Sequence, residues 1–259
     1  MSKMRFSVIT PVSDRPEAFN LLADCMRRQE FDGYADWIIV DDSHEPVSVE
    51  WPPGSISLVP KIFREQPTDG CMTLARNLLC GYQHVQTETI VFCETQSWYR
   101  FDYLERLVSA AERDGISIAG YPHVRWYFCW DDMTWVEEVE AKPVSSCLCR
   151  TAIRGSAART RHQGILERTV KHGGSGSGDT PLWRGSTESE RSFIDDMYTA
   201  VKFLGIKGKL RYSSGGTHPQ VSSAERWGSV ETPDPQGEKL TQWMGAENAR
   251  KYSCLGRTR

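Results

Sequence analysis

The sequence has no Cys-x-x-Cys pair among its eight cysteines, and Cys147-x-Cys149 is too closely spaced for a standard zinc knuckle. A structural metal built on thiolates is therefore not expected. No apolar run approaches the roughly 20 residues that a membrane-spanning helix needs. The opening Met1-Ser-Lys-Met-Arg5 leads straight into a strand-like run, which reads as the absence of a secretory signal. The net charge is −3, so no global basic field marks the chain as a nucleic-acid binder. No internal repeat is visible, and no Gly-rich basic loop follows the first strand to cradle a triphosphate. Several cysteines (Cys25, Cys80, Cys93) sit inside apolar runs, as reduced thiols do, and this favours a cytoplasmic setting.

What is present is an alternation of short apolar runs with amphipathic segments over 259 residues. Strands are expected at Phe6–Thr10, Trp37–Val40, Thr89–Cys93 and Ile116–Gly120, with a short edge strand at Ile56–Val59. Helices are expected at Glu17–Gln29, Cys71–Val85, Phe101–Arg113 and Arg191–Leu204. Alternation at these lengths argues a parallel sheet with helices on both faces. After Gly120 the character changes. Tyr121–Trp135 is rich in aromatics, which form either core or a stacking wall for a sugar or base. Glu137–Arg150 reads as a strand pair. Arg154–Glu190 has weak periodicity and carries Gly173-Gly-Ser-Gly-Ser-Gly178, a flexible loop by composition; a lid is the sharper alternative. Lys207–Tyr212 reads as a strand. The chain thus divides into 1–120, 121–222 with a flexible loop at 154–190, and a tail, 223–259, packed on the domain.

Two strand ends draw attention. Ile38-Ile39-Val40 runs into Asp41-Asp42-Ser43, and Thr89–Cys93 runs into Glu94-Thr95-Gln96-Ser97. Polar clusters at the carboxyl ends of buried parallel strands are where open α/β sheets hold ligands. Local capping of turns by the same acids is the plain alternative.

Taken in order, Phe6-Ser-Val-Ile-Thr-Pro-Val-Ser-Asp-Arg-Pro16, Trp37-Ile-Ile-Val-Asp-Asp-Ser43, Ala75-Arg-Asn77 and Ile90-Val-Phe-Cys-Glu-Thr-Gln-Ser-Trp98 resemble the GT-A glycosyltransferases, in particular the inverting family-two branch. The resemblance covers about the first 110 residues. It implies a Rossmann-like, mostly parallel sheet with a smaller acceptor-side portion in the C-terminal half. It also implies transfer of a sugar from a nucleotide sugar, UDP-linked in the first instance, to an acceptor hydroxyl. By the same resemblance Thr10, Pro11, Val12, Asp14, Asp41 and Asp42 hold the nucleotide, Arg76 faces the diphosphate, and Glu94 touches the ribose or the ion. The family's Asp-x-Asp, which binds Mn²⁺ or Mg²⁺, aligns with Glu94 and Gln96. Gln96 brings a neutral amide oxygen, a poorer ligand for such ions. Three outcomes stand open: a weakened metal site helped by His218, a metal-independent enzyme using Arg or Lys, or an inactive relative.

For inversion a carboxylate must deprotonate the acceptor. Asp196, beside Asp195 at the start of the expected late helix, aligns with that base, and Asp179 after the Gly-Ser run is its rival. The acceptor is a glycan, a small molecule or modified (hydroxymethylated) DNA. The last rests on the basic residues Arg150, Arg154, Arg159, Arg161, Arg168 and Lys171, for which a solvated basic loop is the simpler reading. Competing functions are a nucleotide-binding or scaffold relative without turnover and a nucleotidyltransferase.

Overall fold

The computed structural model describes residues 3–51, 57–67, 73–121, 124–129, 134–138, 148–172, 178–196, 200–204 and 232–254. Its centre is a seven-stranded sheet whose first two strands are β1 (Met4–Val12) and β2 (Gly33–Asp41). Both are buried along almost their whole length, as strands covered on both faces must be. They pair in parallel from Met4↔Gly33 to Val12↔Asp41. Between them α1 (Pro16–Arg27) crosses over. Proline starts this helix, Glu17 lies in the first turn and Arg27 in the last, all matched to the helix ends. Its inner face is Ala18, Phe19, Leu22, Ala23, Cys25 and Met26.

Strand β3 (Leu58–Arg64) extends the sheet beyond β2 and is its edge. It runs further than the expected Ile56–Val59 segment. Pro60 discourages a strand from sequence, but an edge position tolerates the missing N–H. On the other side β4 (Thr89–Phe92) pairs in parallel with β1. Helix α2 (Leu74–Gln83) presses on this region through Gly81, where an added Cβ would lie 2.7 Å from Ile9 Cγ2.

After β4 come a short strand, β5 (Ser97–Tyr99), then α3 (Tyr103–Ala111) and β6 (Ile118–Gly120). Strands β7 (Val124–Phe128) and β8 (Thr134–Glu138) form an antiparallel pair. Leu148–Arg150 is a single 3-10 turn, and β9 (Thr151–Arg154) runs antiparallel to both β4 and β6. The segment expected to be a flexible loop from 154 is instead α4 (Gly155–Lys171). Its periodicity is weak because only Ala158, His162, Ile165 and Leu166 are buried, while Arg and Gln cover the rest. A short helix, α5 (Asp179–Arg184), follows.

The expected helix over Arg191–Leu204 is not formed. Its ends are two strands, β10 (Arg191–Phe193), parallel to β6, and β11 (Ala200–Leu204). In β11, Val201 and Phe203 join one core cluster, so the residue between them faces the other way. That period of two was hidden by apolar residues that also fit helical spacing.

The large sheet therefore has the order β10-β6-β9-β4-β1-β2-β3, parallel in every pairing except those of β9. A second sheet has the order β12-β8-β7-β11-β5, where β12 is Thr232–Pro233. Two C-terminal helices, α6 (Glu238–Met244) and α7 (Ala246–Ser253), pack Leu240, Trp243, Met244 and Tyr252 against Cys25, Trp98 and Phe203. Among the described residues no helix is long and apolar enough to cross a membrane.

Candidate active site

The register of β1 with β2 and β4 brings their carboxyl ends to one edge of the large sheet. The two acidic strand ends flank β1, two strand spacings or about 10 Å apart. The connection between β1 and α1 spans this gap. Asp14 turns toward the β2 end: its N–H donates to Ser43 Oγ at 2.8 Å, and its Oδ2 lies 2.9 Å from His44 Nδ1. It holds a φ of +45°, a left-handed conformation uncommon outside glycine, though aspartate and asparagine adopt it more readily than most. Such conformations persist where surrounding contacts over-determine them. Arg15 turns toward the β4 end, where its Nη1 donates to Gln96 Oε1 at 2.7 Å. Arg15 occupies the cap position of α1 without capping it. Its side chain serves the strand end instead.

At the β2 end, Asp41 is buried and engaged by its own surroundings. Oδ1 accepts from Ser43 N–H at 2.9 Å, and Oδ2 accepts from Val47 N–H at 2.9 Å and Arg64 Nη1 at 2.7 Å. Asp42, equally buried, accepts from Arg76 Nη2 at 3.1 Å through Oδ2, while Oδ1 has no donor among the described residues. Arg76 also donates to Gln66 O at 2.8 Å. Of the two acids, Asp42 and not Asp41 keeps an oxygen without a donor among the described residues, and that oxygen is buried. Thr10 is buried, and its Oγ1 accepts from Trp37 Nε1 at 2.9 Å. Pro11 and Val12 complete the floor of this end through their pairing with Val40 and Asp41.

At the β4 end, Glu94 and Gln96 are both buried. Gln96 Nε2 donates to Glu94 Oε2 at 3.0 Å, and Lys202 Nζ lies 2.9 Å from the same oxygen. Lys202 comes from β11, which pairs with β5 at Lys202↔Ser97 and with β7 at Lys202↔Trp126. Phe203 N–H donates to Gln96 O at 2.8 Å, which fixes the register between the two elements. Sequence reading missed Lys202 because it lay inside an expected helix. It missed Arg15 because an arginine before Pro16 looked like loop.

The second carboxylate of this end is Asp179, the first residue of α5. Leu182 and Trp183 anchor that helix in the core, with Trp183 stacked on Phe193 at 5.0 Å. Asp179 Oδ1 accepts from Thr180 N–H at 2.8 Å, and Oδ2 from Leu148 N–H at 3.3 Å. Burial pushes its carboxyl above the ordinary value. The Thr180 N–H and the Lys202 ammonium pull it back, and Glu94 pushes it further up. The structure thus gathers Glu94, Gln96, Lys202 and Asp179 at one place.

Asp196 is elsewhere. It follows β10 rather than opening a helix, and it is clamped by Arg106 of α3 and by Arg100 Nη2 at 3.0 Å. Both arginines also pair with Asp102. Asp195 is exposed. The placement at a helix start, on which the resemblance rested for these two, is corrected. His218 lies outside the described residues, as do the strand expected at 207–212 and the Gly-Ser run at 173–177. So do the side chains of Trp126, Phe128, Trp130 and Trp135, whereas Tyr121 and Tyr127 are core.

Four of the basic residues after the aromatic stretch have partners within the protein, while Arg168 and Lys171 are exposed. Arg150 is buried and donates to Arg125 O at 3.3 Å; Arg154 donates to Glu112 O at 3.0 Å. Arg159 donates to Tyr82 O at 2.6 Å, and Arg161 pairs with Glu190 at 3.5 Å.

The donor set at the β4 end suits a divalent ion poorly. A hard dication wants several oxygen ligands of carboxylate character. Here the amide oxygen of Gln96 faces a guanidinium, and the carboxylate of Glu94 faces an ammonium. A cation beside that ammonium would be opposed by about 4 kcal/mol per unit charge at 4 Å separation. Among the described residues no three His, Cys, Asp or Glu side chains converge as a metal site.

No protein-family model matches this sequence, and no curated protein is found to match it. Solved structures do match in shape. The fragment 1–349 of S. aureus TarS is 11% identical, with a TM-score of 0.51 over 77% of this chain and 60% of that one. A longer TarS structure is 12% identical, with a TM-score of 0.54 over 78% and 37%. The same fragment in complex with UDP-GlcNAc gives 12% identity and a TM-score of 0.49 over 83% and 62%. The chain thus spans less than two thirds of the length of each of these structures. The fold is that of the GT-A-like glycosyltransferases, α/β with a mostly parallel sheet.

Proposed function

We propose that this chain is a glycosyltransferase that moves a sugar from a nucleotide sugar, UDP-linked in the first instance, to an acceptor hydroxyl. The observation that carries the reading is the Asp14–Arg15 bridge. It ties the Asp41–Ser43 end of β2 and the Glu94–Gln96 end of β4 into one site at the edge where α/β sheets take ligands. The fold supports the same conclusion.

In this reading the nucleoside lies at the β2 end, over Thr10–Val12. Asp42 Oδ1, buried and without a donor among the described residues, accepts from a base N–H or ribose hydroxyl once the turn that Asp41 shapes moves to uncover it. The diphosphate runs toward β4. Asp179 is the base: a carboxyl raised by burial is better matched to taking a hydroxyl proton than an ordinary one. Asp196, held by two guanidinium groups, is a poorer candidate. The acceptor oxygen bonds to the anomeric carbon as the bond from that carbon to the phosphate oxygen breaks. The proton passes to Asp179, and the nucleoside diphosphate leaves from the opposite face with inversion.

The test is incubation with UDP- and GDP-sugars across a panel of glycan, small-molecule and hydroxymethylated DNA acceptors. The expected result is free nucleoside diphosphate and a product of inverted anomeric configuration by NMR. Nucleotide binding without any turnover would mean an inactive relative. Pyrophosphate release from a nucleoside triphosphate and a sugar phosphate would mean a nucleotidyltransferase.

A further inference from the structure

We infer that His162, a buried histidine of α4, is a positioning residue for Asp179: with Ile165 it forms the seat on which Gly178 closes, and this seat sets where the carboxylate stands. The inference rests on the reading above in which Asp179 is the base, and goes beyond it by naming what holds that base in place. Gly178 immediately precedes Asp179 and caps the start of α5 with a φ of +72°. A Cβ added there would lie 2.8 Å from Ile165 Cγ2 and 3.3 Å from both Cδ2 and Nε2 of His162. The backbone thus approaches α4 more closely than a residue with a side chain allows. At the other end of α5, a Cβ on Gly185 would lie 3.2 Å from Arg161 Cδ. Neighbouring residues of α4 therefore press on both ends of this six-residue helix.

The ring of His162 is itself held from two directions. Its Nδ1 lies 2.6 Å from the hydroxyl of Tyr82 on α2. It also meets the ring of Phe92, in β4, at 5.3 Å and 86°. The edge that faces Gly178, Cδ2–Nε2, is the one away from Nδ1. Phe92 lies two residues before Glu94, so a line of packed groups runs from β4 through His162 and Gly178 to Asp179. A helix of six residues has little stability of its own, and its contacts decide where it sits. The N–H groups of Thr180 and Leu148 orient the carboxylate of Asp179 locally. The seat on α4 places the backbone that carries it. Being fully buried, His162 acts through Gly178 and not on the substrate. The geometry matters because a displacement of about 1 Å in a reacting group can cost on the order of 10²-fold in rate.

The experiment measures kcat on the full chain with the nucleotide sugar and acceptor that turn over in the panel above, and calorimetric binding of the released UDP or GDP. Gly178→Ala and His162→Ala should each lower kcat by about tenfold or more, with nucleoside diphosphate affinity within about twofold of wild type. His162→Phe keeps a ring against Gly178 and loses the Tyr82 hydrogen bond. It should restore kcat to within about threefold of wild type, even where urea denaturation shows lost stability. In the Asp179→Asn background, neither Gly178→Ala nor His162→Ala should change the remaining rate by more than about twofold, because the group they position is gone. Folded Gly178→Ala and His162→Ala proteins with full kcat would overturn the inference. So would a rate loss that persists in the Asp179→Asn background, or a loss of nucleoside diphosphate affinity in place of kcat. If His162→Ala does not fold, Gly178→Ala and His162→Phe decide: a slow first and a near-normal second are expected, and the reverse would overturn the inference. Asp179→Asn with full rate, or no turnover anywhere in the panel, would overturn the underlying reading, and the inference with it.

Discussion

Asp41 Oδ2 and Arg64 Nη1 lie 2.7 Å apart at the matched ends of two parallel strands, β2 and β3. Arg64 also bonds the carbonyls of Asp41, at 3.2 Å, and of Ser43. It clamps the turn whose Ser43 receives Asp14. Arg64→Ala leaves a buried carboxylate with two backbone donors only. It should destabilise the fold by about 1–3 kcal/mol and weaken nucleotide affinity. Urea denaturation and calorimetry read both, and unchanged values would make the clamp ornamental.

Asp179→Asn should lower the transfer rate by about 10²-fold, the usual worth of a positioned base, with nucleotide affinity held within about twofold. The wild-type rate should rise with pH as the Asp179 carboxyl loses its proton, with that limb above the ordinary carboxylate range because burial raises it. A variant with full rate, or a rate limb at the ordinary value, would remove Asp179 from the chemistry.

The same shift has a consequence for folding. The folded state holds the Asp179 proton more tightly than the unfolded chain, so protonation favours folding. That contribution is fully present below the ordinary value near 3.8 and is lost as pH rises through the raised one. Asp179→Asn should therefore gain melting temperature relative to wild type at pH 7, and lose that advantage at about pH 3. Equal differences at both values would contradict the burial assigned here.

Asp196→Asn tests the rival base. Asp196 holds Arg100 and Arg106 together, so its loss should appear as about 1–3 kcal/mol of stability. Its effect on the transfer rate should be less than a tenth of that of Asp179→Asn. The reverse order of rate effects would return the base to Asp196.

Thiol labelling in native buffer should modify Cys254, which is exposed, before the others described. Cys25, Cys93, Cys129 and Cys149 are buried. Cys80 is only half-buried, yet burial and the neighbouring Glu65 push its thiol up to about 12, so it should react slowly at pH 8. Mass spectrometry of the labelled peptides gives the order.

The N-terminal half could be read from sequence because its strands are buried on both faces and its helices carry clean apolar stripes. Thr89–Phe92 and Trp37–Val40 needed nothing beyond composition. The C-terminal half resisted because its signals conflict. Ile194, Val201 and Leu204 fit a helix as well as strands, and only pairing of β11 with β5 and β7 decides. Helix α4 hid behind arginines that serve as internal donors. At the site, the acids at both strand ends were visible. Which of them keeps an oxygen without a donor among the described residues was not, because Asp41 is consumed by Val47 and Arg64, contacts that depend on tertiary approach.

Asp14 and Arg15 are consecutive, yet they hold opposite ends of the site. Nothing between them can stretch, since one peptide link sets their spacing. Lengthening the chain there by a single residue would uncouple the two ends while sparing both strands and the helix that follows. A ligand gripping one end should correspondingly stiffen the other, so donor fragments that occupy either end alone should bind with positive cooperativity.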